Sequence, residues 1–297
     1  LFRLNPLQLV ASVLNSFLNK FIEDLDSSQL SVGVFSGKAE LRNLALKRDA
    51  LSAFDIPLNV KHGKVGRILV DIPFRHLRSK PVVVIVEDVS AVVGPASSAA
   101  EAETKEAKEL MKEETLLEIE DAHAFEKPPD NKDEQGMMDS LVANIVANVR
   151  ITVTNVHLRY DDTVPDWSPT GDPLTVRAGL SVQRFTVEST DDSWTPGFHR
   201  DAPVQYKVVS LDGLAVYVDL ATEDVPAMPS PVLGSGHQFV VRPFGVHANL
   251  SFCPDAPELP PRADAAVRVD PVVLELEDHQ FQSVIAIGNA VSVAMEQ

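Results

Sequence analysis

The feature that most constrains this chain is a change of phase inside a strand. In NVRITVTNVHLRYDD, residues 148–162, Ile151 and Val153 alternate with Thr152 and Thr154. After Asn155 the apolar positions become Val156, Leu158 and Tyr160. Strand side chains alternate faces with period two, so a parity shift moves the second half to the other face unless the backbone corrects it. The same step of three occurs in LRNLAL (41–46), with Asn43 at the break. VQRFTV (182–187) and LDGLAV (211–216) repeat the shape without the Asn. VEDVSA (86–91) is a weaker copy that ends in Ala91, and from Val153 the starts fall 29 residues apart, twice. An internal repeat built on strands points to an elongated array. Two backbone solutions fit the shift. A β-bulge at the break inserts one residue and returns both halves to one face, or a long strand crosses between two apolar environments and buries opposite faces in turn.

The surrounding sequence supplies helices and turns. Residues 7–25 place Leu7, Val10, Leu14, Phe17, Leu18, Phe21, Ile22 and Leu25 at helical spacing, which predicts an amphipathic helix. Short β-like segments follow to residue 93, broken by turns such as His62-Gly63 and Ile72-Pro73, with a short helix over 48–54. Residues 94–136 read as an acidic helix and a linker closed by KPPDNKDEQG. A further apolar-faced helix is expected at 137–148, long strands near 174–188, 203–220, 237–252 and 264–277, and a last helix at 279–295. The expected organisation is therefore 1–93, 94–136 and 137–297.

Charge and residue usage exclude several functions. The formal net charge is −17, opposite to the clustered basic surface that nucleic acid requires. Residues 101–135 carry 13 acidic side chains against 5 lysines. The single cysteine, Cys253, excludes an internal disulfide framework and a multi-cysteine zinc site, and suits a reducing compartment. No run of about 18 apolar residues occurs. The eight histidines are scattered, without the close pairing of metal ligands. GVFSG (33–37) lacks the nucleophile-elbow order and GKVG (63–66) is too short for a phosphate loop. No catalytic constellation and no metal site emerges, and His157 reads as a packed or solvent-facing strand residue.

FLNKFIEDLDSSQLSVGVFSGKAELRNLALKRDAL (17–51) resembles the N-terminal chorein segment of the vacuolar protein sorting-associated protein thirteen family. The similarity continues through LNVKHGKVGRILVDIPFRHLRSKPVVVIVEDV (58–89), VRITVTNVHLRYDD (149–162) and AGLSVQRFTVESTDDSWTPGF (178–198), including Trp194, Pro196 and Phe198. The chain departs from the family at Phe35-Ser36, where Trp-Gly is common.

The resemblance implies a bridge-like lipid transfer protein, of which this would be the N-terminal end. The implied fold is mostly β with flanking α-helices: an elongated, strongly curved antiparallel sheet forming a hydrophobic groove, capped by the N-terminal amphipathic helix. Its expected lining in the first part is Leu41, Leu44, Leu46, Val70, Ile72, Val84 and Val86. In the second part it is Val153, Val156, Leu158, Val182, Phe185, Val187, Leu214 and Val216, with Leu14, Phe17, Leu18 and Phe21 on the capping helix. Glycerophospholipids would be cargo rather than a cofactor. Organelle membranes, protein adaptors and lipid scramblases are implied partners, with the chain cytoplasmic and peripheral at contact sites, this end on the endoplasmic reticulum side. Read from the residues alone, the strands also fit a closed β-sandwich with Leu41, Leu44, Val153, Phe185 and Val216 as plain core. The rival function is a lipid-free interaction scaffold of β repeats.

Overall fold

The computed structural model describes residues 15, 18–25, 37–54, 56, 58–73, 76, 79–95, 148–164, 174–197, 204–220, 228–232, 234, 237–253, 263–278, 280–281 and 285. Its strands are β1 (Lys38–Ala45), β2 (Leu58–Asp71), β3 (Val83–Pro95), β4 (Arg150–Val164), β5 (Leu174–Thr190), β6 (Gln205–Leu220), β7 (Phe239–Phe252) and β8 (Ala263–Val269). A 3-10 helix, Ala50–Phe54, joins β1 to β2. The strands form one sheet in chain order from β1 to β8. Among the described residues no second sheet packs against it and β1 does not meet β8, so the sheet is neither sandwich nor barrel.

Two expectations need correction or delimiting. The sheet is mixed rather than antiparallel, because β3 and β4 run parallel, Val86 beside Val153 and Val89 beside Val156. The chain between these strands, residues 96–149, returns it to the end from which β3 began. A hairpin cannot do that, whereas a long crossover can. The helix expected at 101–125 lies outside the described residues, as do all but Asn148 of the one expected at 137–148, all but Gln280, Phe281 and Ile285 of the one expected at 279–295, and Leu14 and Phe17 of the first helix. Of the first helix the described part shows Asn15, Leu18 and Asn19 helical.

The phase shift has a definite backbone cause. Asn43, Asp88, Asn155 and Gly213 have φ of 54°, 61°, 56° and 66°, the left-handed region that Gly adopts freely and Asn or Asp tolerates. They sit in one row across the sheet. Pairing runs unbroken past them, with Arg42 on Arg67 and Leu44 on Val65, then Thr154 on Arg184 and Val156 on Val182. No residue is inserted between these neighbours, so the shift there is not a bulge: each strand inverts its pleat at the same row. β1, β3, β4 and β6 all run one way and all carry the left-handed residue. β2 and β5, running the other way, cross the row at Gly66 and Gln183 without one. That is why VQRFTV has the step of three but no Asn. Asp88 and Asn155 meet in the parallel pair, where Asn155 Nδ2 donates to Asp88 Oδ1 at 2.8 Å. True register shifts occur elsewhere, between Val60 and His62 and along β6/β7.

The inverted pleat keeps both halves of each strand on one face. Leu41, Leu44 and Leu46 pack in a single cluster with Val65, Ile68, Val70, Val86 and Val89. Ala91, Val93, Leu158, Tyr160 and Ala178 continue the same face toward the other end of the strands.

Candidate functional site: the apolar face

Following the register from β1 to β6, the structure places Leu41, Leu44, Leu46, Val70, Ile72, Val84, Val86, Val153, Val156, Leu158, Val182, Phe185, Val187, Leu214 and Val216 on this one face. It adds residues that the sequence reading passed over: Val65 and Ile68, Val89, Leu180, Leu211, Val246, Val267 and Val269. The signal for the first pair was present, since Val65-Gly66-Arg67-Ile68 repeats the step of three.

Cover over the face is uneven. Above β1–β3 lie Leu18, Phe21, Ile22 and Leu25, and Ile68 and Val70 are 2% and 1% exposed. The covering segment is tied down by backbone bonds, Glu23 N to Ala45 O at 2.9 Å and Lys47 N to Phe21 O at 2.8 Å. Phe21 also meets Phe54 of the 3-10 helix, ring centroids 5.7 Å apart. Farther along, the same face opens: Leu180 is 38% exposed and Val267 61%. Beyond β8, Leu274 bridges to Val241 and is also exposed.

The opposite face carries charge. Arg67 lies between Glu40 and Glu87, Arg150 pairs with Glu188, and Arg242 with Glu275. Arg159 grips Asp161 through Nε and Nη2 at 2.9 and 2.8 Å. Beside it His157 Nδ1 donates to the Ser230 carbonyl at 2.6 Å, and Tyr217 OH meets His157 Nε2 at 2.7 Å. The Nδ1 proton follows from chemistry, because a carbonyl can only accept. Tyr217 stacks on His237 at 4.0 Å, and His237 Nδ1 reaches Asp219 at 2.7 Å. Burial pushes the His157 imidazolium pKa down and the Tyr217 hydroxyl up. With both ring nitrogens of His157 engaged, this cluster fastens Ser230 and His237 to the sheet. A cavity of about 550 Å³ is lined by Glu87, Thr154, Ser181, Arg184 and Asp212 together with Val156, Val182, Pro231 and Val232, a mixed polar and apolar lining.

Among the described side chains, one charged residue breaks the division. Lys207 alternates with Val209 and Leu211 on the apolar face, opposite Ser189 in β5 and Leu250 in β7. Its Nζ donates to Ser189 Oγ at 2.7 Å. Burial pushes the Lys207 ammonium below the usual lysine range.

No group of three or more His, Cys, Asp or Glu that could hold a metal occurs among the described residues. Nor is any described helix long and apolar enough to cross a membrane.

These features define a class: an open, one-sided β-sheet whose apolar face extends past its own cover, with the described charges, Lys207 apart, on the reverse. Comparison with known proteins supplies the family. The VPS13-like family N-terminal region matches residues 8–297, and the chain belongs to that family as its N-terminal chorein region. It is similar to the intermembrane lipid transfer protein VPS13 of Chaetomium thermophilum, 29% identical over 93% of this chain and 9% of the relative. Mouse intermembrane lipid transfer protein VPS13A is 29% identical over 96% of this chain and 10% of that protein. Human VPS13C, also named an intermembrane lipid transfer protein, is 26% identical over 95% of this chain and 9% of its own length. The chain thus spans about a tenth of these relatives.

Proposed function

We propose that this chain carries glycerophospholipids, their acyl chains lying along the apolar face, as the N-terminal part of a longer bridge between organelle membranes. The observation that carries this reading is the apolar face, continuous across eight strands and uncovered toward β8. Withdrawing a carrier's cargo into water costs about 0.8 kcal/mol per CH₂, so about 16 carbons cost roughly 13 kcal/mol. A transfer route must therefore stay apolar along its length, and the row of inverted pleats keeps it so. In this reading the sheet curves into a groove, and Leu14, Phe17, Leu18 and Phe21 close its first end. Residues 1–93 and 137–297 act as one module. Eight strands at about 4.8 Å spacing reach only about 35 Å, room for a few lipids but too short to span two organelles. The chain works peripherally at contact sites, this end on the endoplasmic reticulum side, with adaptors and scramblases supplied by partners. Phospholipid is cargo, and the reading requires no cofactor and no catalysis. The relatives' names as intermembrane lipid transfer proteins support it.

The test is native mass spectrometry of the purified chain with lipid extraction of the same sample. At least one phospholipid per chain, displaced by a fluorescent phospholipid, is the expected result. A mass that stays lipid-free when phospholipid is offered overturns the reading and turns attention to the interaction-scaffold alternative.

A further inference from the structure

The segment between β6 and β7 carries the dipeptide Ser230-Pro231, with Pro229 before it. Ser230 is exposed, yet its main chain is held: His157 donates Nδ1–H to the Ser230 carbonyl at 2.6 Å, and Pro229 beside it is buried. A residue that precedes proline is kept out of the helical region and toward extended φ/ψ, which here applies to Met228 and Ser230 alike. Among the described residues no backbone–backbone hydrogen bond involves 229–232. The chain therefore presents a surface hydroxyl on an anchored but unpaired stretch, with proline at the next position. Protein kinases take their substrates as unpaired, extended chain. Those directed to proline read its fixed φ and missing N–H just after the acceptor.

Thr195-Pro196 offers the same pairing in another setting. Thr195 is exposed as well, so accessibility does not separate the two. Its backbone does. Thr195 N donates to Asp191 Oδ1 at 2.8 Å, its carbonyl accepts from Asp191 N at 3.0 Å, and Pro196 bridges to Thr190. A kinase would have to open that turn before the chain could enter its cleft, and opening an ordered turn costs free energy. Ser168-Pro169, a third such dipeptide, lies outside the described residues.

We infer that Ser230 is a phosphoacceptor for a proline-directed serine/threonine kinase, and that Thr195 is not. In the step Ser230 Oγ attacks the γ-phosphorus of ATP and a new O–P bond forms. The bond from that phosphorus to the β–γ bridging oxygen breaks, ADP leaves, and the hydroxyl proton passes to the catalytic aspartate of the kinase. The product carries about two negative charges near neutral pH, on the segment that covers His157 and Tyr217. Pro231 and Val232, the next residues, line the cavity of about 550 Å³, where Arg184 is the only cation among the described lining residues. Modification places an anion at the rim of that cavity. The inference goes beyond the lipid-carrying reading and does not depend on it.

The experiment incubates the folded full chain with ATP and an active proline-directed kinase of the mitogen-activated class, and maps phosphate by tandem mass spectrometry over time. Synthetic peptides spanning 223–237 and 188–202 are run beside it. Ser230 in the folded chain is expected to keep pace with its peptide. Thr195 is expected to fall at least about tenfold behind its own, equivalent to about 1.4 kcal/mol of opening. Ser230→Ala is expected to lose the label at that position with its urea denaturation curve unchanged. If the 223–237 peptide is labelled while Ser230 in the folded chain is not, the segment does not present its hydroxyl and the inference is overturned. A 223–237 peptide that stays unlabelled, while a standard substrate of the same kinase is labelled, overturns it too. Labelling of Thr195 in the folded chain as fast as Ser230 would show that backbone pairing does not select between them, and the assignment would fall on that ground.

Discussion

Leu180 and Ser181 are neighbours in β5, and their burial runs against their hydropathy. Leu180 is 38% exposed and Ser181 4%. The contrast extends across the two faces of the sheet. On the charged face His157, Arg159 and Tyr217 are nearly inaccessible, each held by hydrogen bonds or an ion pair from the chain itself. On the apolar face Leu180, Val267 and Val269 are 38%, 61% and 52% exposed, although Val182 and Val218 are buried. In an ordinary globular domain a sheet buries its apolar side and wets its polar side. Here the polar side is covered around His157 and Tyr217 by Ser230 and His237, while among the described residues the apolar side is covered most fully over β1–β3 and stands open at Leu180, Val267 and Val269. A contiguous exposed apolar surface marks a place where something else binds. In the proposed reading, folding stability and cargo contact fall to different regions of one sheet.

The largest effect should fall where the apolar face behaves as core. Ile68→Ala, beneath Leu18 and Ile22, should lower unfolding free energy by about 2–5 kcal/mol, measured by urea denaturation. A loss under about 0.5 kcal/mol would mean that the covered end is no more a core than the open end, and the comparison would fail. Next comes Gly179, whose missing Cβ makes room for the Tyr217 ring: a Cβ there would stand 2.0 Å from Tyr217 Cζ. Gly179→Ala should cost about 1–3 kcal/mol by displacing that ring. It should disturb the polar face without touching lipid loading.

The row of inverted pleats joins the two regions, and Asn155 tests it. Asn155→Val puts a β-branched residue at φ 56° and deletes the bond to Asp88, a loss of about 1–2 kcal/mol. Asn155→Gly relieves the backbone and forfeits only the bond, so it should fall between wild type and Val. The reverse order in a thermal-unfolding series would show that the side chain, not the left-handed backbone, fixes the phase. A smaller change is expected one residue from Gly179. Leu180→Ser should shift stability by under about 1 kcal/mol yet reduce co-purifying lipid. Unchanged lipid content would indicate that cargo does not lie over β5.

Much of this was legible in the chain. The strands announced themselves by period-two runs between turn residues, and the step of three marked where each pleat inverts. Residue chemistry also named the row, since Asn43, Asp88, Asn155 and Gly213 are the types that tolerate a left-handed φ. What could not be read was direction. Whether β4 lies parallel or antiparallel to β3 depends on the path of residues 96–149, and nothing in VRITVTNVHL encodes it. The polar-face cluster was hidden for a related reason: His157 finds its partners 60 and 73 residues away, at Tyr217 and Ser230. Lys207 was obscured by Val208-Val209, where two adjacent apolar residues leave the parity of the strand undecided.

The smallest effect is a pH dependence that asks whether the closed polar face is as dry as its contacts imply. His157 faces Tyr217 and His237, with Arg159 and Asp219 close enough to act on its charge. Desolvation lowers its pKa first. The Ser230 carbonyl and Asp219 oppose that, and His237 and Arg159 reinforce it. The neutral ring accepts from Tyr217 OH at Nε2. Protonation turns that nitrogen into a donor and forces the hydroxyl to reverse. Above an unfolded-state pKa near 6.5 the ring is neutral in both states and contributes no slope. As pH falls below that value the unfolded chain takes up the proton first, so stability declines until the lower folded-state pKa is passed. His157→Gln removes this titration. Urea denaturation from about pH 7 to about pH 5 should therefore show wild type losing stability faster than His157→Gln. Parallel curves for the two would mean that water reaches His157, and the polar face would then be no more closed than the apolar one.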